Sequence, residues 1–162
     1  MKCLTICNVP SHDITHVGAS RGRLLKRVIL LVEDSKADVD LVRRSLTTGA
    51  EAPTLLVADD GVEALRMLRE SPDTLPDLIL LDLNLPRKSG HEVLREVKTD
   101  PVLKHIPVVI LSSSDAERDV AGAYGMHANC YFTKPMDLDG FAETLRSIEE
   151  FWFARATLPT HG

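Results

Sequence analysis

Four short stretches of the 162-residue chain hold the side chains best suited to chemistry: Glu33-Asp34, Asp82-Leu83-Asn84, Ser112-Ser113-Ser114 and Thr133-Lys134-Pro135. Gathered in one place, their three carboxylates repel. Two unit charges ~4 Å apart interact by about 1 kcal/mol in water and about 4 kcal/mol at an effective dielectric near 20. Lys134 offsets only part of that repulsion. A divalent cation offsets the rest, and oxygen donors with few protein ligands suit Mg²⁺, which keeps several waters and shares its shell with phosphoryl oxygens. An aspartate beside such an ion, with an ammonium and a hydroxyl opposite, is equipped for phosphoryl chemistry. Each stretch also has a plainer use. Glu33-Asp34 would equally cap a helix starting near Lys36, Asp82 to Pro86 would make a turn, Ser112 to Ser114 an N-cap run, and Lys134-Pro135 a loop.

The elements decide whether the four stretches meet. Unbroken apolar runs occur at Val28–Val32, Thr54–Val57, Leu78–Leu81 and Val108–Leu111, with a shorter one at Cys130–Phe132. Runs without alternation suit strands buried on both faces of a parallel sheet. Amphipathic segments lie between them: Val39, Val42 and Leu46 share one face, Val62, Leu65 and Leu68 another, and Val93, Leu94 and Val97 a third. Leu138, Phe141, Leu145, Ile148 and Trp152 form a last stripe. Strands alternating with helices predict an α/β fold, a doubly wound five-stranded parallel sheet flanked by five helices. In such sheets ligands bind at the carboxyl ends of strands, and each of the four stretches closes a predicted strand.

Four motifs stand in a telling order: Val32-Glu33-Asp34-Ser35, Leu80 to Pro86 with Gly90, Pro107 to Ser112, and Tyr131 to Pro135. Together they resemble the receiver domain of bacterial two-component response regulators, over residues 26–153. The resemblance implies the flavodoxin-like receiver fold, with Asp82 taking a phosphoryl group from a kinase phosphohistidine. It implies that Asp34 holds Mg²⁺ directly and Glu33 through water, with Asp82 and the Asn84 carbonyl completing the metal set. Lys134 pairs with the phosphoryl oxygens, and the Lys134–Pro135 peptide is cis. Ser112 is the switch hydroxyl and Tyr131 the aromatic switch residue, turning inward when Ser112 moves. Glu33 stands where aspartate is usual and Ser112 where threonine is commoner; both keep the functional group. Asn84 and Ser114 match positions that tune how fast water reaches the phosphoryl group.

A finer resemblance rests on Glu33 to Asp38 and on Phe151-Trp152-Phe153 through Thr157-Leu158-Pro159. These are similar to stand-alone receivers paired with bacterial phytochrome histidine kinases, in which dimers form on the last helix and its extension. Four of the seven aromatic residues, Phe141, Phe151, Trp152 and Phe153, crowd that helix. Exposed aromatic clusters mark protein contacts, so a homodimer through Phe151, Trp152 and Phe153 is expected. The alternative is a C-terminal tail folded back over the domain.

Residues 1–25 read as a flexible leader, 26–153 as the receiver and 154–162 as a tail. Cys3, Cys7, His12 and His16 are too closely spaced for a zinc-finger loop. The leader has no signal-peptide centre, and no apolar run is long enough to span a membrane. Three cysteines make no disulfide framework, so a reducing cytoplasm fits. Net charge is −5 overall but +4 over residues 1–27 and −9 over the remainder, which argues against nucleic-acid binding by the globular part. No output module is expected, so the signal passes from a sensor kinase to a target or phosphotransfer protein by contact. Two rivals stand beside this: a phosphorylation-independent scaffold, and an aspartate-nucleophile phosphohydrolase of the haloacid dehalogenase type. The hydrolase needs a second aspartate two residues after the nucleophile. Asn84 stands there and cannot shuttle the proton.

Overall fold

The computed structural model describes residues 27–46, 52–71 and 74–159 of the chain. The expected leader, with its cysteine and histidine pairs, and the last three residues of the expected tail lie outside the described residues.

The elements follow in strict alternation: β1 (Val28–Val32), α1 (Lys36–Leu46), β2 (Thr54–Ala58), α2 (Gly61–Glu70), β3 (Leu78–Leu81), α3 (Gly90–Thr99), β4 (Val108–Ser112), α4 (Glu117–Gly125), β5 (Cys130–Thr133) and α5 (Leu138–Glu149). A π-helical turn, Glu150–Arg155, extends α5. The strands form one parallel sheet in the order β2-β1-β3-β4-β5. The winding therefore reverses at β1 and β3, whose carboxyl ends lie side by side, with Val32 paired to Leu81.

Strand side chains alternate between two cores, as their period of two requires. Leu30, Val32, Ile79, Leu81, Val108 and Ile110 pack with Leu65 and Leu68 of α2 and Val93, Leu94 and Val97 of α3. Ile29, Leu31, Leu78, Leu80, Val109 and Leu111 pack on the other side with Val42 and Leu46 of α1 and Phe141, Leu145 and Ile148 of α5. Burying both faces explains why the strands read as unbroken apolar runs; each Leu, Ile or Val so buried contributes about 1.5–3 kcal/mol.

Two members of the expected stripes are not in these cores. Val62 and Leu138 are exposed, each in the first turn of its helix. The aromatic cluster also divides. Phe141 is buried, Trp152 and Phe153 are half-buried against the core beside α1 and α5, and Phe151 is 52% exposed. The π-helical turn, closed by the Ala156 N–H donating to the Phe151 carbonyl at 2.8 Å, turns Trp152 and Phe153 inward.

Caps fix the helix starts. Asp60 caps α2 by accepting the Val62 and Glu63 N–H groups, Ser89 and Glu92 form a capping box on α3, and Asp137 caps α5 through the Gly140 N–H. Helix α4 is different: Ala116 at its N-cap makes no side-chain cap, and Ala123 is its one buried residue.

Lys98, in the last turn of α3, donates to the Ile106 carbonyl at 2.8 Å, to Asn129 Oδ1 at 2.9 Å and to the Lys104 carbonyl at 3.4 Å. All three acceptors are neutral, so no opposite charge compensates its burial, and the amine is pushed down from its usual 10.5 to about 8. The folded protein then binds this proton less tightly than the unfolded chain. Its contribution to stability grows as pH rises from about 8 to 10.5 and is lost as pH falls through 8. Urea unfolding across that window should show the rise, and Lys98→Met should flatten it. A slope unchanged in the variant would assign the effect to another group.

Candidate functional site

The adjacent carboxyl ends of β1 and β3 place Glu33 and Asp82 together, and the turn after β5 brings Lys134 to them. The Lys134 ammonium donates to Glu33 Oε2 at 2.6 Å, to Asp82 Oδ2 at 2.8 Å and to Asp38 Oδ2 at 2.8 Å. Glu33 and Asp82 are buried, and Asp38 is about one-third exposed. Each buried carboxylate has a second partner from the backbone. Glu33 Oε1 accepts the Ser35 N–H at 3.0 Å, and Asp82 Oδ1 accepts the Asn84 N–H at 3.0 Å.

Burial pushes the Glu33 carboxyl above its usual range, against the pull of its hydrogen bond from Lys134. Burial alone would lower the Lys134 amine, but its hydrogen bonds to Asp38, Asp82 and Glu33 outweigh it and hold the ammonium above its ordinary value.

Next to this cluster runs a chain of hydroxyls. Ser112, fully buried at the end of β4, lies 3.5 Å from Asn84 Nδ2 and accepts the Ser114 N–H at 3.4 Å. The Ser114 hydroxyl donates to Asp119 at 2.5 Å, and its carbonyl accepts the Tyr131 hydroxyl at 2.7 Å. Tyr131 is half-buried against the core, and burial pushes its phenol above the usual 10.

The structure thus brings together Glu33, Asp82, Asn84, Ser112 and Lys134, and sets Tyr131 one loop away. Asp34 follows Glu33 but is exposed. Asp38, absent from the sequence-based set, supplies the third carboxylate on Lys134; an acid in the first turn of a helix reads from sequence as dipole compensation. The Lys134–Pro135 peptide is trans, since the described residues contain no cis bond. That corrects the expected cis bond; the two isomers of an X–Pro bond differ by only about 0.5–1 kcal/mol, and Lys134 reaches its three carboxylates from the trans form.

Among the described residues, no group of three or more His, Cys, Asp or Glu side chains is placed to hold a metal ion. The ammonium of Lys134 stands between the carboxylates instead. The chemistry of the donors nevertheless suits a divalent cation. Three carboxylates share one ammonium, which leaves excess negative charge, and every donor is a hard oxygen.

Proteins of known kind resemble this chain in sequence and fold. The sequence pattern of the response regulator receiver domain matches residues 29–146. The response regulator Rcp1 of Synechocystis is 47% identical over 137 residues, covering 82% of this chain and 93% of that protein. The crystal structure of the phosphorylated cyanobacterial phytochrome response regulator RcpA is 46% identical, with a TM-score of 0.80 over 83% of this chain and 99% of that one. The Mn²⁺-bound form of Rcp1 is 46% identical with a TM-score of 0.79 and the same coverage. No described helix is long and apolar enough to cross a membrane. With its β2-β1-β3-β4-β5 sheet, its acids at the winding reversal and this match over most of its length, the chain belongs to the response regulator receiver family, the signalling proteins of two-component systems.

Proposed function

We propose that Asp82 is the phospho-acceptor of a Mg²⁺-dependent transfer from a histidine kinase. The observation that carries this reading is the 2.8 Å pairing of Lys134 with one oxygen of a buried aspartate at the sheet's carboxyl edge. A carboxylate oxygen of Asp82 attacks the phosphorus of a phosphohistidine, the P–N bond breaks, and the imidazole leaves as the acyl phosphate forms. Lys134 is drawn from Asp82 toward the arriving oxygens and offsets their charge. Asp34, Asp82 and the Asn84 carbonyl, with Glu33 through water, would hold Mg²⁺, which supplies further charge neutralisation when bound. Ser112 and Tyr131 serve as the switch: the phosphoryl group adds about two negative charges, Ser112 donates to them, and the loop through Ser114 carries the change to Tyr131.

The partner kinase is of the phytochrome kind, a reading supported by this chain's likeness to the cyanobacterial phytochrome response regulator RcpA, and the output goes by contact to a downstream protein in the cytoplasm. The protein acts as a signalling element without multiple-turnover catalysis. Incubation with Mg²⁺ and acetyl phosphate should add a single phosphoryl group by intact mass, and EDTA should prevent it. No addition under any Mg²⁺ concentration would overturn the assignment.

The chain dimerises through the last helix and its extension, on a surface that includes Phe151, Trp152 and Phe153. Phe151 supports this: it is 52% exposed, and its ring meets Trp152 edge-on at 5.2 Å. Phe151→Ala leaves the half-buried pair in place and should lower the mass seen by light scattering from dimer to monomer. An unchanged mass removes this surface as the contact.

A further inference from the structure

The loop between β3 and α3, Leu83 to Ser89, carries Asn84 beside the acidic cluster, and its far half is fixed to α2. The Arg87 guanidinium pairs with Oδ2 of Asp60, whose side chain is only 4% exposed. The other oxygen of Asp60 is already engaged, accepting Val62 N–H at 2.8 Å and Glu63 N–H at 3.0 Å as the cap of α2. Arg87 itself holds a φ of +63°, a left-handed backbone that asparagine and glycine adopt more readily. A residue kept there is held by its surroundings. Backbone contact reinforces the pair: a Cβ on Gly61 would lie 2.5 Å from the Lys88 carbonyl oxygen, so the first residue of α2 abuts the loop directly. At the loop's end, a Cβ on Gly90 would overlap the Asp82 carbonyl oxygen, and the Gly90 N–H donates to the Leu83 carbonyl at 3.0 Å. Little slack remains between Asp82 and α2.

We propose that Arg87 is a positioning residue, its ion pair with the buried Asp60 locking the β3–α3 loop against α2 and so fixing the Asn84 backbone relative to Asp82. The proposal rests on the reading of Asp82 as phospho-acceptor and of the Asn84 carbonyl as part of the cation site. Arg87 touches neither group and acts through the loop. Its side chain is 64% exposed, so the pair by itself is screened, and the effect comes from the carboxylate it anchors being buried.

Arg87→Asn removes the charge while tolerating the left-handed backbone, and Arg87→Lys restores a charge of the same sign. Three quantities separate positioning from general stability. These are the Mg²⁺ concentration for half-maximal labelling by acetyl phosphate, amide hydrogen exchange over residues 84–89 without metal, and the thermal midpoint. In Arg87→Asn the half-maximal Mg²⁺ concentration should rise about tenfold, the low end of what loss of an outer-shell support costs. The rate at saturating Mg²⁺ should stay close to the parent's. Loop exchange should quicken while the thermal midpoint holds, and Arg87→Lys should recover most of both losses. Parent-like Mg²⁺ dependence and loop exchange in Arg87→Asn would overturn the proposal, as would an equal deficit in Arg87→Lys. A parent that takes up no phosphoryl group overturns the reading of Asp82 instead, and loop exchange then decides the clamp by itself.

Discussion

Asp82→Asn will take up no phosphoryl group from acetyl phosphate under conditions that label the parent. Asparagine has nearly the shape of aspartate, and its amide oxygen can still accept the Asn84 N–H that Asp82 Oδ1 holds at 3.0 Å. Lys134 keeps Glu33 and Asp38. The substitution therefore spares the packing and removes the anionic oxygen on which transfer depends. It also takes one negative charge from a crowded pocket, so the thermal midpoint should equal or exceed the parent's. Intact mass and a thermal melt on the same sample check both statements. A folded Asp82→Asn protein that still gains a phosphoryl group would place the acceptor elsewhere, with Asp34 and Asp38 the next carboxylates to test.

The largest stability effect belongs to Lys134→Met. Methionine matches the length of the stem but leaves Glu33 and Asp82 buried with no counter-charge. Removing one partner of a buried ion pair costs about 3–5 kcal/mol, and the variant should lose about 3 kcal/mol to urea at neutral pH in metal-free buffer, the low end because Asp38 remains part-exposed. The pH dependence has a definite sign. Burial already raises the Glu33 carboxyl, and loss of Lys134 removes the hydrogen bond that opposes the rise. The folded variant then binds a proton at Glu33 more tightly than the unfolded chain does. Its stability should recover as pH falls toward the Glu33 pKa and decline as pH rises through it. Added Mg²⁺ should restore part of the deficit by binding the folded form. A Lys134→Met protein as stable as the parent at neutral pH would mean that these acids do not depend on the ammonium.

Much of this site is legible in the sequence because strand ends announce themselves. Glu33, Asp82, Ser112 and Lys134 each follow an unbroken apolar run, and a parallel sheet has no choice but to deliver those ends to one edge. The order of the strands, which puts Glu33 beside Asp82, follows from where the winding reverses. What escaped has physical causes as well. Asp38 looks like any acid in a first helical turn until Lys134 is seen to reach it. Asp60 reads as a cap, and nothing in its neighbourhood reveals that its second oxygen meets Arg87, 27 residues away. Val62 and Leu138 match a helical stripe, yet each sits in the first turn of its helix and is exposed. The aromatic cluster near the C-terminus is legible in part: helical spacing puts Trp152 on the stripe of Phe141, Leu145 and Ile148, where it packs. The inward position of Phe153 is not, because counting in steps of 3.6 assumes an α-helix and Glu150–Arg155 is a π-helical turn.

Helix α4 has Ala123 as its sole buried residue and no side chain over its amino end; the Ser114–Asp119 bond ties its first turn to the preceding loop, and the Ser114–Tyr131 bond ties that loop to β5. To swing a two-state element from 1:99 to 99:1 takes about 5.5 kcal/mol of preference. A well-anchored helix would demand more still, because its core contacts would have to be broken first. In the switch proposed for Ser112, little core contact opposes a movement of α4, so new hydrogen bonds at that hydroxyl would have few buried contacts to overcome. The other four helices each bury an apolar stripe against the sheet, α2 and α3 on one face and α1 and α5 on the other, so α4 is the element with the least core contact to lose.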